Sequence, residues 1–128
     1  MAITEKTRKI LWTRSGNQCS ICKTNLVTAK SEPFSATIVG QECHIISEAF
    51  NGPRHKDEIE NNNYDQEDNL ILLCSNCHKV IDTQIDYHSI KKLKGIKDHH
   101  EAEIRTKLER KEPDNNFKKV DQLLFYPK

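Results

Sequence analysis

Four of the five cysteines form two pairs with a spacing that is typical of metal binding. The first pair is Cys19 and Cys22, and the second is Cys74 and Cys77. Because two residues separate the members of each pair, both sulfurs can face one ion, and four thiolates close a tetrahedral zinc site without an open position. We therefore expect a structural zinc ion. Two disulfides, or four buried thiols without metal, are the alternatives that the pattern leaves open.

Two histidines and one asparagine could act on a substrate. His44 lies in a segment of β-forming residues, Asn69 precedes an apolar run, and His78 directly follows the last cysteine. A histidine titrates close to neutral pH, so it can serve as a general base or bind a divalent cation. Taken singly, each residue also has an ordinary structural interpretation, such as a packed histidine or a turn asparagine. The hypothesis of a reactive site rests on their order along the chain.

The elements of the N-terminal half can be predicted from periodicity and turn residues. Apolar positions among lysines and arginines predict a short helix over 3–15, with a glycine directly after it as the cap. Segments 36–39 and 42–46 are rich in β-forming residues and are separated by Gly40. We expect them to form a hairpin or one bulged strand that carries His44.

The C-terminal half is predicted to contain a loop, a buried element and two helices. The region 54–69 is almost wholly polar, so we expect a long exposed loop. The apolar run 70–73 predicts a short buried element, and 79–83 a short helix. A long helix is expected from Ser89 onward, with its apolar face formed by Ile90, Leu93, Ile96, His100, Ile104 and Leu108.

Length and composition limit the number of domains and the classes of protein to which the chain can belong. A chain of 128 residues has room for one modest core, and we expect one domain over 1–112 with 113–128 as a linker or the start of a further domain. The formal net charge of +1 means that any nucleic-acid surface must be local. No apolar run approaches the roughly 20 residues of a membrane span, and the N-terminus lacks a secretory signal. We expect a cytoplasmic protein without a membrane partner, in which paired cysteines bind metal more often than they form disulfides.

The order of these residues resembles the HNH endonuclease family, and within it the zinc-ribbon members. The matching segments are Cys19-x-x-Cys22, Cys43-His44-Ile45, Asp68-Asn69-Leu70-Ile71-Leu72-Leu73 and Cys74-x-x-Cys77-His78. The resemblance implies an α+β fold built on a ββα-metal (His-Me finger) core, with a structural four-cysteine zinc site and flanking helices. It also implies a metal-dependent endonuclease that hydrolyses phosphodiester bonds of DNA and uses Mg²⁺ or another divalent cation, separate from the zinc.

The resemblance assigns a role to each member of the His–Asn–His group. His44 matches the general base, which draws a proton from the attacking water. Asn69 matches the residue that fixes the loop and orients the base. His78 matches a ligand of the catalytic cation, which stabilises charge on the phosphate and on the leaving 3′ oxygen.

Cys43 departs from the family pattern. Many members carry an Asp or a His before the first histidine, and that residue also binds the catalytic metal. Here Cys43 could bind a softer ion itself, or His78 and waters could hold the cation. A neighbouring carboxylate, Glu42 or Asp82, could also take this place. Alternatively, Cys43 is a small buried residue.

A narrower similarity is to the HNH domains at the N-terminus of bacterial antiphage effectors, including those fused to a SAVED domain that senses cyclic oligonucleotides. The residues that carry it are Cys43-His44-Ile45-Ile46, Gly52-Pro53-Arg54, Ile81-Asp82 and Lys97-x-x-His100-Glu101. It implies a role in antiviral defence. Because an unregulated nuclease would damage its host, we expect activity to require a homodimer or a C-terminal sensor domain beyond this chain.

Three basic residues are candidates for contact with nucleic-acid phosphates. Arg54 follows Gly-Pro in a loop, while Lys79 and Lys97 lie in predicted helices; in each case a solvated surface charge is the simpler interpretation. No segment resembles a recognition helix, so we expect double-stranded DNA to be bound with little base preference. Two rival functions are a non-catalytic zinc-ribbon module that binds nucleic acid, and a structural zinc domain that mediates assembly.

Overall fold

The structure is a computed structural model that describes residues 2–29, 35–59 and 63–109. The predicted linker over 113–128 lies outside these residues. The described elements are α1 (Glu5–Ser15), β1 (Gly40–His44), a 3₁₀ turn (Glu67–Asn69), β2 (Leu70–Cys74), α2 (Ser75–Thr83) and α3 (Ile90–Glu109). In the described segments, no helix has the length and apolar character needed to cross a membrane.

The centre of the fold is an antiparallel pair formed by β1 and β2. His44 lies opposite Leu70 and Gly40 opposite Cys74. All residues from Leu70 to Leu73 are buried, because α1 and α2 both pack against β2. The order β1, β2, α2 gives a ββα unit flanked by α1 and α3, so the predicted α+β class with flanking helices is confirmed.

The predicted hairpin between 36–39 and 42–46 is wrong. The strand that carries His44 pairs with β2 instead, and Ile38 makes only an isolated bridge to Val27. The physical reason is burial: β2 offers a continuous apolar partner, whereas Ile38 is 67% exposed and could bury little against β1.

The predicted first helix and its glycine cap are confirmed. The side chain of Thr4 accepts a hydrogen bond from the backbone N–H of Thr7 at the start of α1. Gly16 ends the helix with φ 60°, a left-handed conformation that favours glycine. A Cβ atom there would also lie 2.8 Å from the side chain of Ile104, so the same glycine allows α1 to approach α3.

The described parts of the region 54–69, residues 54–59 and 63–69, are less exposed than predicted. They contain the 3₁₀ turn Glu67–Asn69, and Asn69 is buried. The side chain of Arg54 is only 3% exposed. Polar side chains can be buried in this way because each has hydrogen-bond partners, which composition alone does not reveal.

The two C-terminal helices also differ in detail from the prediction. The second helix begins at Ser75, before the predicted 79–83, because the Sγ atom of Cys74 caps it by accepting from the N–H of Cys77. In α3 the predicted face is confirmed for Leu93, His100 and Ile104. It is wrong for Leu108, which is 73% exposed near the end of the helix, and Lys97 is also buried within that face.

Candidate active site and metal cluster

The four paired cysteines come together in space. Their Sγ atoms all lie within 4.8 Å of one another, and those of Cys22 and Cys74 are 3.7 Å apart. Four sulfurs bound tetrahedrally at about 2.3 Å from one ion lie about 3.8 Å apart, so the cluster could hold a metal ion. A disulfide needs about 2.05 Å, and the cysteines are free. The alternative of two disulfides therefore does not fit.

The backbone around Cys19 favours a thiolate. Burial acts to raise the pKa of this thiol. Hydrogen bonds from backbone N–H groups outweigh burial and lower the pKa to about 7; these groups belong to Cys22, Cys74 and Ile21. Because the thiolate is the form that binds metal, the turns that carry the cysteines prepare the cluster for a cation.

His44 is held by a carboxylate that the sequence prediction missed. Its ring Nε2 lies 2.6 Å from Oδ1 of Asp65; the His44 side chain is 38% exposed and that of Asp65 is 10% exposed. An ionised carboxylate only accepts, so Nε2 donates the hydrogen bond. In a neutral ring this leaves the lone pair on Nδ1. Asp65 lies in a run of polar residues, where neither spacing nor composition distinguishes it.

Asn69 joins the two segments that carry His44 and Asp65. Its Oδ1 accepts from the N–H of Ile46 at 2.9 Å. Its Nδ2 donates to the carbonyl of Ile46 at 3.0 Å and to that of Tyr64 at 2.8 Å. The buried amide therefore fixes the continuation of β1 against the loop that precedes the 3₁₀ turn.

His78 faces two acceptor groups. Its Nδ1 lies 2.6 Å from the amide oxygen of Gln41, and its Nε2 lies 3.0 Å from Oδ2 of Asp82. When Nδ1 donates to Gln41, Nε2 of a neutral ring presents a lone pair to the carboxylate. Two lone pairs that face each other repel, so the contact between Nε2 and Oδ2 needs either a second proton on the ring or a cation bound by both atoms.

His44, His78 and Asp82 line the same pocket, which has a volume of about 140 Å³. Several water molecules at about 30 Å³ each would fill it. A larger groove between α1 and α3 has no histidine or cysteine in its lining, and two other larger grooves beside α3 contain only one such residue, the exposed His99. The pocket of His44, His78 and Asp82 is therefore the candidate active site.

Of the carboxylates considered as replacements for the missing family ligand, only Asp82 is placed for the role. Glu42 accepts hydrogen bonds from Arg8 at 2.7 Å and from the indole N–H of Trp12 at 2.9 Å. Burial raises the pKa of Glu42, but these two donors outweigh burial and lower it. Glu42 thus joins β1 to α1, whereas Asp82 turns Oδ2 towards His78.

Cys43 is buried beside the pocket and has 1% of its surface exposed. Its thiol donates to the carbonyl of Gln41 at 3.4 Å. Burial, followed by the negative charge of Asp82, raises the pKa of this thiol. These observations favour the interpretation of Cys43 as a small buried residue.

Arg54 is a correction to the sequence analysis. Its guanidinium donates to the carbonyl of Ile45 at 2.7 Å, to that of Ile81 at 2.8 Å and to Oδ1 of Asp82 at 2.8 Å. With its donors directed inward, this side chain is not placed to clamp a phosphate. It instead joins the continuation of β1 to the end of α2 and orients Asp82.

Lys97 is a second correction. Its ammonium contacts Glu67 at 2.9 Å and Glu101 at 2.5 Å, and its side chain is 5% exposed. A buried ammonium needs such partners, so Lys97 pairs within the fold and is not placed for a phosphate. Lys79, by contrast, is exposed on α2 directly after His78.

Comparison with known proteins gives one family. The sequence profile described as HNH endonuclease matches residues 19–84, just over half of the chain. The matched range begins at the first cysteine, ends shortly after Asp82 and includes both histidines of the pocket. No curated protein matches the chain.

Proposed function

Because the chain belongs to the HNH endonuclease family, we propose that it is a metal-dependent DNA endonuclease in which His44 acts as the general base. The observation that carries this proposal is the shared pocket. His44, anchored through Nε2, lies in one cavity with the acceptor pair of His78 and Asp82.

His44 is suited to remove a proton from water. Its Nε2 donates to Asp65, so Nδ1 of the neutral ring can take the proton. The hydroxide equivalent attacks the phosphorus, and the bond to the 3′ oxygen breaks. Asn69 supports this step by fixing the backbone on both sides of the His44–Asp65 contact.

The residues that would hold the catalytic cation in this proposal are His78 and Asp82. Two neighbouring ligands of an octahedral ion, each about 2.1 Å away, lie about 3.0 Å apart. The separation of Nε2 and Oδ2 is 3.0 Å, and Gln41 fixes the ring from the other side, as outer partners of metal-bound histidines do. When bound, Mg²⁺ or another divalent cation would neutralise charge on the phosphate and on the leaving oxygen. We do not include Cys43 among the ligands.

For the four-cysteine cluster we propose structural Zn²⁺. Four thiolates leave no open coordination position, so the ion takes no part in cleavage. When bound, it would join the turn that carries Cys19 and Cys22 to the start of α2, and so hold the helix that carries His78.

The proposed substrate is double-stranded DNA, bound with little base preference. Because the net charge of the chain is +1, phosphate contact must come from local cations, and exposed Lys79 beside His78 is the residue proposed for it. A role as the cytoplasmic effector of an antiphage system, regulated by dimerisation or by a C-terminal sensor domain, rests on the narrower sequence similarity and is proposed on that basis alone.

One observation favours a second candidate function. Cys43, at the family position before the first histidine, is a buried thiol. A domain that had lost its catalytic metal would be expected to lack a metal-binding Asp or His at this position. In that case the chain would be a zinc-ribbon module that binds nucleic acid without cutting it.

The test is the nicking and linearisation of supercoiled plasmid in Mg²⁺, Mn²⁺, Ni²⁺ or EDTA, over a series of protein concentrations. We expect cleavage that needs a divalent cation and falls by about 100-fold or more in His44→Ala. His99→Ala is the matched control, because that histidine is 80% exposed on α3 and should leave the rate unchanged. DNA binding without cleavage at any concentration or with any cation would favour the binding module.

A further inference from the structure

The described structure contains three histidine–aspartate pairs, and only one leaves a ring nitrogen available. Both ring nitrogens of His78 face an acceptor, Gln41 or Asp82; the other two pairs are those of His55 and His44.

In the first of these two pairs, His55 is engaged through both nitrogens. Its Nδ1 lies 2.8 Å from the carbonyl of Ser47, and its Nε2 lies 2.9 Å from Oδ1 of Asp57. Both partners only accept, so both nitrogens donate. Asp57, followed by the Ser47 carbonyl, raises the pKa of His55, which favours the charged ring without a lone pair.

The second pair is His44 and Asp65. Here Nε2 is bound to the carboxylate at 2.6 Å, and within the described segments no group hydrogen-bonds to Nδ1. The neutral ring is therefore held in one tautomer, with the proton on Nε2 and the lone pair on Nδ1. This is the form that a general base requires.

Asp65 is itself fixed by its surroundings. Its backbone N–H donates to Oδ1 of Asn63 at 3.0 Å. The residue before it, Tyr64, is held through its carbonyl by Asn69 at 2.8 Å and through its hydroxyl, which donates to the carbonyl of Lys56 at 2.6 Å. A carboxylate whose backbone is held at its own N–H and at the residue before it can restrain the ring of a histidine on a neighbouring strand.

We propose that Asp65 is a positioning residue, which holds the His44 ring and selects the tautomer with the lone pair on Nδ1. This inference rests on the proposed function, in which His44 is the general base. It also explains how Asn69 affects the base. The buried amide of Asn69 holds the loop that carries Asp65, and Asp65 in turn holds the His44 ring. Asp65 touches neither water nor phosphate in this role.

The first measurement is the ¹⁵N NMR signature of the imidazole rings in the full chain loaded with zinc. In the wild-type protein near pH 8, we expect the Nδ1 resonance of His44 at the shift of an unprotonated nitrogen and Nε2 at that of a protonated one. Asp65→Ala should remove this preference. The matched control is Asp57→Ala, which breaks the His55–Asp57 pair through an aspartate whose side chain is 83% exposed and should leave His44 unchanged.

The second measurement is plasmid cleavage under saturating Mn²⁺. We expect Asp65→Ala to lower kcat by about 100-fold with KM unchanged, since a misplaced catalytic group costs about this much. Asp65→Asn keeps the size of the side chain and provides a variant that folds if the alanine variant does not. Because its amide can both accept and donate, a mixture of tautomers and an intermediate kcat are expected.

The outcomes separate this inference from the proposed function. If the wild-type protein does not cleave DNA, the nuclease proposal fails, while the NMR signature still decides whether Asp65 selects the tautomer. A wild-type signature and a wild-type kcat in both Asp65 variants would overturn the inference. A lower kcat without any change of tautomer would also overturn it, because Asp65 would then act by another route.

Discussion

The four-cysteine cluster and the histidine pocket lie next to each other in sequence but are built in opposite ways. In the cluster, all donor atoms face one another within 4.8 Å. In the pocket, His44 and His78 remain 38% and 35% exposed, and an acidic or amide partner restrains each ring. Cys77 and His78 are adjacent on α2, where successive side chains point about 100° apart. One short helix therefore serves a closed site, which we propose stabilises the fold, and an open site, which we propose admits water and phosphate.

The largest expected effect tests the closed site. We expect Cys22→Ser, or removal of the metal by a chelator, to abolish cooperative thermal unfolding, because structural zinc binding is worth about 10 kcal/mol or more and a domain has only about 5–15 kcal/mol of stability. Circular dichroism and zinc analysis measure this effect. Cys22 is exposed, so the substitution disturbs little packing. A metal-free variant that melts like the wild-type protein would show that the cluster is not structural.

The next prediction could weaken this contrast, because it concerns a buried residue that does not line the pocket but holds the segments that carry His44 and Asp65. Asn69→Ala removes three hydrogen bonds and leaves the backbone groups of Ile46 and the carbonyl of Tyr64 without their partner. We expect the free energy of unfolding to fall by about 3 kcal/mol, together with a loss of cleavage. Urea unfolding measures the first effect. An unchanged urea midpoint would mean that water replaces this amide without cost.

A smaller effect is expected at the open site. Asp82→Asn keeps an oxygen for Arg54 but removes the charge that faces His78. We expect the Mn²⁺ concentration for half-maximal cleavage to rise by about 10- to 100-fold, with recovery at high Mn²⁺. The melting temperature should fall as well, because buried Arg54 loses its counter-charge. Asp98→Asn, at an exposed position of α3, is the control. Equal Mn²⁺ requirements in the two variants would remove Asp82 from the ligand set.

The smallest effect concerns His100, which belongs to neither site. It is buried, with Nε2 donating to the carbonyl of Ser15 at 2.9 Å and Nδ1 accepting from Lys23 at 2.7 Å. Burial, followed by the positive charge of Lys23, lowers the pKa of His100, although the Ser15 carbonyl and nearby glutamates oppose this.

Since the folded pKa of His100 is below the unfolded value of about 6.5, the unfolded chain binds more protons in the window below pH 6.5. Stability from the neutral ring is complete above that pH and is lost as the pH falls through it. We expect the urea midpoint to fall less between pH 7.5 and pH 5.5 in His100→Asn than in the wild-type protein. An equal fall in both would assign the pH dependence to other groups, such as the cysteines.

Local patterns were sufficient for much of the fold. The glycine after α1, the buried run Leu70 to Leu73 and most of the apolar face of α3 depend on neighbouring residues, and each was predicted from periodicity or turn chemistry. The spacing of the cysteine pairs predicted that they would meet. The partner of β1 was predicted wrongly, because strand pairing depends on distant parts of the chain and on which pairing buries more apolar surface.

The site was predicted less completely. The order of His44, Asn69 and His78 indicated a shared site, and the structure brings the two histidines to one pocket. The prediction failed for polar residues whose role depends on a partner far away in sequence. Arg54 and Lys97 look like solvated charges until Asp82 and Glu67 are placed beside them, and Asp65 acquires a role only through its contact with His44.

The register of β1 and β2 limits where insertions and deletions can occur in related sequences. Because side chains alternate along a strand, a shift of one residue in β1 would carry His44 to the buried position of Cys43. The length of either strand is therefore fixed. A change of length in the exposed turn from Glu48 to Asn51 is far cheaper, since the entropy of closing a loop grows slowly with its length. Divergence in this family should thus accumulate as loops of variable length between two strands of constant length.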